Sequence, residues 1–490
     1  MATLDEGFLD EKLAELELLR AWSPRLISKL ESFMRTDDEW ALFRTNPFVF
    51  AAERGVSEDE AVDLLLLASK VGLFQMSWSL LCPGCGAAVQ SFTSLQSLCS
   101  VFHCYMCSTD IETKLDDYVH VGFTVSPRVR AIAAHRPEAL GVEDFYLRYS
   151  FAQEARPEPA GPRFVDLARE MSPVMSYLAP NAVTTLDAEL VDGAVAVYDI
   201  ITNALFVLVI DGSRSDENGT LRLRLQDGKL GHPPIEVAPG KIRLELHNDS
   251  EQRNSIVLFC KPQFVIDKLN SLAAQGKSTH QHFDKFLSGR RLLTSHTFRH
   301  AFGNEVIRSS DGIGVRDISI LFTDLKGSTA MYDRIGDLRA FALVNQHFER
   351  LGRAIKRHRG AVVKTIGDAV MASFESPVDA VTAARDMLRE IDSFNREVGE
   401  REIVLKVGVH RGASIAVTLN ERLDFFGQTV NIAARVQGLA DADEIYLTEE
   451  VYRVPGVKEL LTELQVTPQQ ANLKGVQRAV SVYRVATAAS

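Results

Sequence analysis

Two aspartates stand where strands should end: Asp324 in the run LFTDLKGST (321–329) and Asp368 in the turn Ile366-Gly367-Asp368. A carboxylate at a strand end, followed by a Gly/Ser/Thr turn and then a helix, can hold a cation and a phosphate together. Leu325, Lys326, Gly327, Ser328 and Thr329 form that turn, and their backbone amides lead into the helix start. Magnesium takes one or two carboxylates and completes its octahedron with water and phosphate oxygens. Two such ions about 3.5–4 Å apart activate an attacking hydroxyl and steady a leaving phosphate. Taken singly, each aspartate is an ordinary turn residue. Taken with the amide-rich turn, they favour phosphate chemistry.

A second constellation is built from thiols. Cys82 and Cys85 form CPGC, eighteen residues follow, and Cys104 and Cys107 form CYMC. Two such knuckles at this spacing match a four-cysteine zinc ribbon. Four thiolates leave no open position for water, so a structural Zn²⁺ is expected rather than a catalytic one. Cys99 and Cys260 are expected in apolar surroundings, and His103 as a neighbour of the knuckle rather than a ligand. Paired CxxC units suit a reducing cytoplasm better than disulfides do.

The elements that must position these groups follow from periodicity. From 316 onward the order is strand 317–323, a helix to about 358, two strands around Gly367, and a helix from Pro377 to about 397. Strand 403–410, a turn-rich stretch, a helix over 427–439, strand 444–448 and a last strand near 479–485 complete it. This is βαββαβ, ferredoxin-like order: an α+β sandwich with helices on one face of a mostly antiparallel sheet. Upstream the chain reads as several modules, as 490 residues require. Residues 1–75 form a helical or winged-helix-like module with a capping box at Ser57 and Glu60, and 76–125 the zinc-ribbon-like module. Residues 126–165 read as a linker containing the Pro-rich run EARPEPAGPR, 166–265 as a β-sandwich-like regulatory module, and 266–310 as a basic helical connector. The α+β domain that carries the two aspartates takes 311–490.

The formal net charge of −11 argues against a nucleic-acid partner, which needs clustered Lys and Arg. No run reaches the roughly 18–20 apolar residues that span a bilayer, so no membrane partner is expected.

FTDLKGST, VKTIGDAVMASF and DFFGQTVNIAARVQ, in this order over residues 316–485, resemble the catalytic domain of class III nucleotidyl cyclases. The upstream modules are similar to the N-terminal region of some bacterial soluble members. The resemblance implies roles residue by residue. Asp324 and Asp368 match the metal-binding pair, two Mg²⁺ or Mn²⁺ per site. Lys364 matches the purine-reading lysine, and Asp424 its partner that accepts from the adenine amine. Asn431 and Arg435 match the transition-state pair, and Lys474 in NLKGV a lysine near the triphosphate. Phe425 stands where tyrosine is expected, which alters a hydroxyl contact only.

Physical chemistry supports these roles beside the resemblance. Asn431 and Arg435 are four apart on a helix and project from one face. An adenine edge offers a donor and an acceptor, which suit Asp424 and Lys364; a mismatched base leaves polar groups unpaired, at about 1–3 kcal/mol each. The implied reaction is ATP to cyclic AMP and pyrophosphate, a phosphorus–oxygen lyase. The family divides the two groups of residues across a dimer, so a homodimer is expected. Two alternatives stay open at this point: a nucleotide sensor with an inactive cyclase domain, and a transcriptional regulator led by residues 1–125. The ligand or protein that controls residues 1–310 is not legible.

Overall fold

The computed structural model describes residues 4–486 apart from 108, 213–214, 227–228, 231–234, 263–270, 272–279, 304, 308–311 and 400–401. Four helices come first: Glu6–Leu18, Leu26–Met34, Pro47–Arg54 and Glu58–Val71. The last starts on the expected capping box, with Ser57 Oγ accepting from the Glu60 amide at 3.3 Å, and stops at Gly72 with φ +92°. It packs on an antiparallel sheet of strands Phe74–Leu81, Ala88–Phe92 and Val119–Val125, whose Trp78 is fully buried. The CPGC turn joins the first two of these strands, and the CYMC turn joins the hairpin Val101–Cys104 and Thr109–Glu112.

Residues 126–165 do not behave as the expected linker. Val129, Tyr146, Leu147 and Phe151 are buried in the same cluster as Trp78. The proline-rich run reads as a break, but the aromatic residues ahead of it bury more apolar area than a linker does. Beyond it, a five-stranded and a four-stranded sheet enclose Leu208, Leu223, Leu244 and Leu258. The alternation in LRLRLQ fits this packing: Leu223 and Leu225 are inside. Strands Val174–Leu178 and Ala182–Leu190 belong to the five-stranded and the four-stranded sheet respectively. Of the expected connector, 266–270, 272–279, 304 and 308–310 lie outside the described residues; Gly289–Leu293 and His296–Ala301 are short helices.

The C-terminal elements are β1 (Ile313–Leu325), α1 (Ser328–Ile335), α2 (Asp337–Arg357), β2 (Ala361–Ile366), β3 (Ala369–Phe374) and α3 (Pro377–Val398). They continue as β4 (Leu405–Leu419), β5 (Arg422–Phe426), α4 (Gln428–Gln437), β6 (Glu444–Thr448), β7 (Gln465–Ala471) and β8 (Val480–Ala486). The sheet order is β2-β3-β1-β4-β6-β8-β7, with β5 paired to β4 and only β4–β6 parallel. The single helix expected to reach 358 is two, broken at Gly336, whose φ is +76°. The stretch after 410 expected to be turn-rich is a β4–β5 hairpin, because Asn420 and Glu421 both take left-handed backbone and return the strand on itself.

β1 is buried on both faces. Leu321 and Leu325 join a cluster with Leu351 of α2 and Met387 of α3. Ile318, Ile320 and Phe322 point the other way, into a cluster shared with Trp78 and Phe298 of the N-terminal region. The two regions are therefore packed on each other. Polar contacts flank this contact: Arg290 Nη1 donates to the Asp317 carbonyl at 3.0 Å, and Arg291 Nη1 to Glu375 at 2.9 Å. The Leu115 amide donates to the Gly314 carbonyl at 3.1 Å. Among the described residues, no helix is long and apolar enough to cross a membrane.

Helix α4 lies directly on β4 because two glycines leave room for it. A Cβ at Gly408 would stand 2.2 Å from the Gln437 amide nitrogen, and one at Gly412 would stand 2.8 Å from Thr429 Oγ1. Gly408→Ala therefore forces α4 off the sheet, at a cost of about 1–3 kcal/mol. Chemical denaturation should show that loss; a variant as stable as the parent would refute the close packing.

Candidate active site

Asp324 is the last residue but one of β1 and is paired across the sheet with Lys406 of β4. Lys406 Nζ lies 3.7 Å from Asp324 Oδ2. Next to β1 runs β3, with Phe322 opposite Met371 and the Val370 amide donating to Thr323 Oγ1 at 3.1 Å. Asp368 occupies the β2–β3 turn just before that point, so the two predicted aspartates sit at the same end of adjacent strands. Asp368 Oδ2 is buried and has no hydrogen-bond partner among the described residues. An orphaned carboxylate oxygen at the sheet end that also carries Asp324 fits the donor set of a hard divalent cation.

The turn after β1 behaves partly as expected. Gly327 has φ +73°, a conformation glycine adopts without strain, and it starts α1. Leu325 is buried against the helix layer, so only its backbone can face a ligand. Lys326 is held by Asp441 and donates its amide to the Val404 carbonyl at 2.8 Å. Ser328 is half-buried and Thr329 exposed at the helix start.

Lys364 of β2 and Asp424 of β5, sixty residues apart in the chain, meet at 2.5 Å between Nζ and Oδ2. The Asp424 side chain is 8% exposed and that of Lys364 38%, so the acid is the buried partner of the pair. The other Asp424 oxygen accepts from the Phe425 amide at 2.8 Å. Phe425, the predicted replacement for tyrosine, is buried at 2%. On α4, Ala433 and Val436 are buried while Asn431 is exposed and Arg435 half-buried, so the predicted pair lies off the packed side. A Cβ at Gly475 would be 3.4 Å from Arg435 Nη2. That proximity brings Lys474, one residue earlier, into the neighbourhood of Arg435.

Three groups near this site escaped the sequence. Lys406 becomes visible only once cross-strand register is known. His347 of α2 is fully buried, its Nδ1 3.0 Å from the Val344 carbonyl and its Nε2 without a partner among the described residues. Burial pushes this imidazole below its ordinary value, against the pull of the Asp368 charge. Arg299, from the helix before β1, reaches β5, and burial lowers its guanidinium to about 10. A histidine on an apolar helix face and an arginine in a basic connector give no advance signal of these positions.

The four knuckle cysteines converge. Their sulfurs lie within 4.8 Å of one another, with Cys82–Cys107 and Cys85–Cys104 both at 3.7 Å. A tetrahedron with Zn–S bonds of about 2.3 Å requires sulfur separations of about 3.8 Å. Gly84 makes room: a Cβ there would lie 3.1 Å from Cys107 Sγ. Hydrogen bonding with Cys104 holds the Cys82 thiol far below its usual value and raises Cys85, as crowded thiols sharing protons must. His103 instead meets Asp110 at 2.7 Å, outside the cluster. Cys260 is buried as expected, whereas Cys99 is only half-buried.

Residues 314–486 match the family described as "Adenylate and Guanylate cyclase catalytic domain", and residues 9–300 match "Family of unknown function (DUF5939)". An adenylate cyclase of Anabaena cylindrica is 32% identical over 185 residues, covering 35% of this chain and 37% of its own length. Adenylate cyclase 1 of Rhizobium meliloti is 24% identical over 185 residues, covering 35% of this chain and 27% of its own. The chain thus spans 37% and 27% of the length of these two curated relatives. The solved adenylyl cyclase CyaB of P. aeruginosa aligns at 20% identity over 36% of this chain and 95% of that one, with a TM-score of 0.32. The chain belongs to the family of unknown function matched over residues 9–300, and its C-terminal end is a class III cyclase catalytic domain.

Proposed function

We propose that the protein is an adenylate cyclase that converts ATP to 3′,5′-cyclic AMP and pyrophosphate. The observation that carries this reading is the Lys364–Asp424 pair at 2.5 Å, in the same sheet as the strand-end aspartates. In the chain by itself, each of these groups satisfies the other. An adenine edge can replace the pair: its amine donates to Asp424 and its ring nitrogen accepts from Lys364. A guanine edge offers the reverse order and leaves both groups unpaired, at about 1–3 kcal/mol each.

Asp324 and Asp368 would hold two Mg²⁺ or Mn²⁺ ions. Bound there, such cations lower the pKa of an attacking hydroxyl and neutralise charge on a departing pyrophosphate. The chain's own groups do the rest. The amides after Gly327 and the Lys474 side chain bind phosphate oxygens. Asn431 orients the ribose so that its 3′-oxygen lies in line with the α-phosphorus. Arg435 donates to the oxygens that gain charge as the new P–O bond forms and the bond to pyrophosphate breaks.

A homodimer completes the reading. Ile415, Leu419 and Phe426 on the β4–β5 hairpin beside Asp424 are large apolar residues left 37%, 46% and 62% exposed. Ile415 and Phe426 are direct cross-strand neighbours, so they form one patch suited to a second copy. Free cysteines and sulfur spacing that suits zinc support a structural Zn²⁺ and a cytoplasmic setting. Residues 1–310 would receive a regulatory ligand or protein.

Purified protein incubated with ATP or GTP under Mg²⁺ or Mn²⁺ should yield cyclic AMP and little cyclic GMP. ATP binding with no cyclic product under either metal would overturn the proposal. Arg435→Ala should lower kcat by about 10²–10³-fold. Mixing Asp324→Ala with Arg435→Ala protein should restore about a quarter of the parent activity if sites are shared between subunits; no recovery would place each site within one chain. Metal analysis should find about one zinc per chain. Cys104→Ser should abolish that zinc and lower the melting temperature, and a variant that keeps its zinc would rule out the cluster as its ligand set.

A further inference from the structure

Arg299 stands in the last residues of the N-terminal family match, on the short helix His296–Ala301, yet its side chain belongs to the cyclase sheet. Its Nε donates to the Leu293 carbonyl at 2.7 Å, which fixes the side chain to its own segment. Its Nη1 donates to the Leu423 carbonyl at 2.8 Å. The guanidinium carbon lies 5.2 Å from the centroid of the Phe425 ring. Leu423 and Phe425 are the two neighbours of Asp424 on β5, so one guanidinium grips the strand on both sides of the base-reading carboxylate. The third nitrogen, Nη2, is buried and has no hydrogen-bond partner among the described residues. The nearby Asp424 charge helps this buried cation remain protonated.

We propose that Arg299 is a positioning residue that sets the orientation of Asp424, and so tunes the choice of purine from outside the catalytic domain. This rests on the reading of Lys364 and Asp424 as the base-recognition pair. The physical reason is the planar fork of arginine: two donors and a stacking face in one rigid group hold a carbonyl and a ring at once. Lysine supplies the charge but neither the fork nor the face. Because Arg290 and Arg291 fasten the same segment to Asp317 and Glu375, a shift of the N-terminal region against the sheet would move the prop and the carboxylate together.

The test compares full-length parent, Arg299→Ala, Arg299→Lys and Asp424→Ala for kcat and KM with ATP and GTP under Mn²⁺. Displacement of a fluorescent ATP analogue by each nucleotide gives the same discrimination without turnover. Arg299→Ala should raise KM for ATP and narrow the ATP/GTP ratio of kcat/KM by about tenfold, with kcat changed less than about threefold. Arg299→Lys should recover only part of the ratio. A purely structural role would reduce active protein equally for both nucleotides, and an unchanged ratio in Arg299→Ala overturns the proposal. Should that variant fail to fold, Phe425→Leu removes the ring contact alone and must narrow the same ratio; if it does not, the proposal falls. Asp424→Ala separates the two layers. If it collapses the ratio while Arg299→Ala preserves it, only the positioning role is lost. If it leaves the ratio at the parent value, base reading by Asp424 fails and the inference fails with it.

Discussion

Strand β1 must be apolar on both faces, and the rest of the structure follows from that requirement. One face is closed by α2 and α3, through Leu321 and Leu325. The other is closed by the N-terminal region, through Ile318, Ile320 and Phe322. Each buried side chain of this size contributes about 1.5–3 kcal/mol relative to exposure, so stripping away either cover would be expensive. The strand end that carries Asp324 is thus held from both sides. The catalytic sheet and the region before it form one packed body, rather than a cyclase with a loosely tethered sensor.

Backbone economy places the remaining site groups. Gly408 and Gly412 let α4, the helix that carries Asn431 and Arg435, approach β4 more closely than any side chain would allow. The β4–β5 hairpin folds Asp424 back over the sheet until it meets Lys364. Neither device depends on long-range charge. Both depend on hard-sphere contact and on left-handed turn residues, which tolerate little change.

The N-terminal region contributes an architecture of its own. The four-thiol cluster is formed by two turns, one in the sheet under the Glu58–Val71 helix and one in a separate hairpin. Phe102 and Ile111 of that hairpin are buried in the same cluster as Trp78 and Val121 of the sheet. The packed segment 126–165 lies beside it, and the two larger sheets follow. The region meets β1 through the Leu115–Gly314 backbone bond and the Arg290 contact with Asp317, and Arg291 reaches Glu375 just after β3.

The sequence by itself determined whatever depends on local spacing. The strand-end aspartates, the glycine turn before α1, the CxxC pairs and the i, i+4 placement of Asn431 and Arg435 were all legible, because residue type and short separation define them. Alternation in LRLRLQ fits the burial of Leu223 and Leu225. Tertiary structure decided what depends on separation in space. It turned 126–165 from a linker into core, because Tyr146 and Phe151 found partners far off in the chain. It split the first long helix at Gly336, where positive φ overrides helical periodicity. It also brought Arg299 to Leu423 and Phe425 across more than a hundred residues, a contact that leaves no trace in local pattern because long-range pairing carries no period.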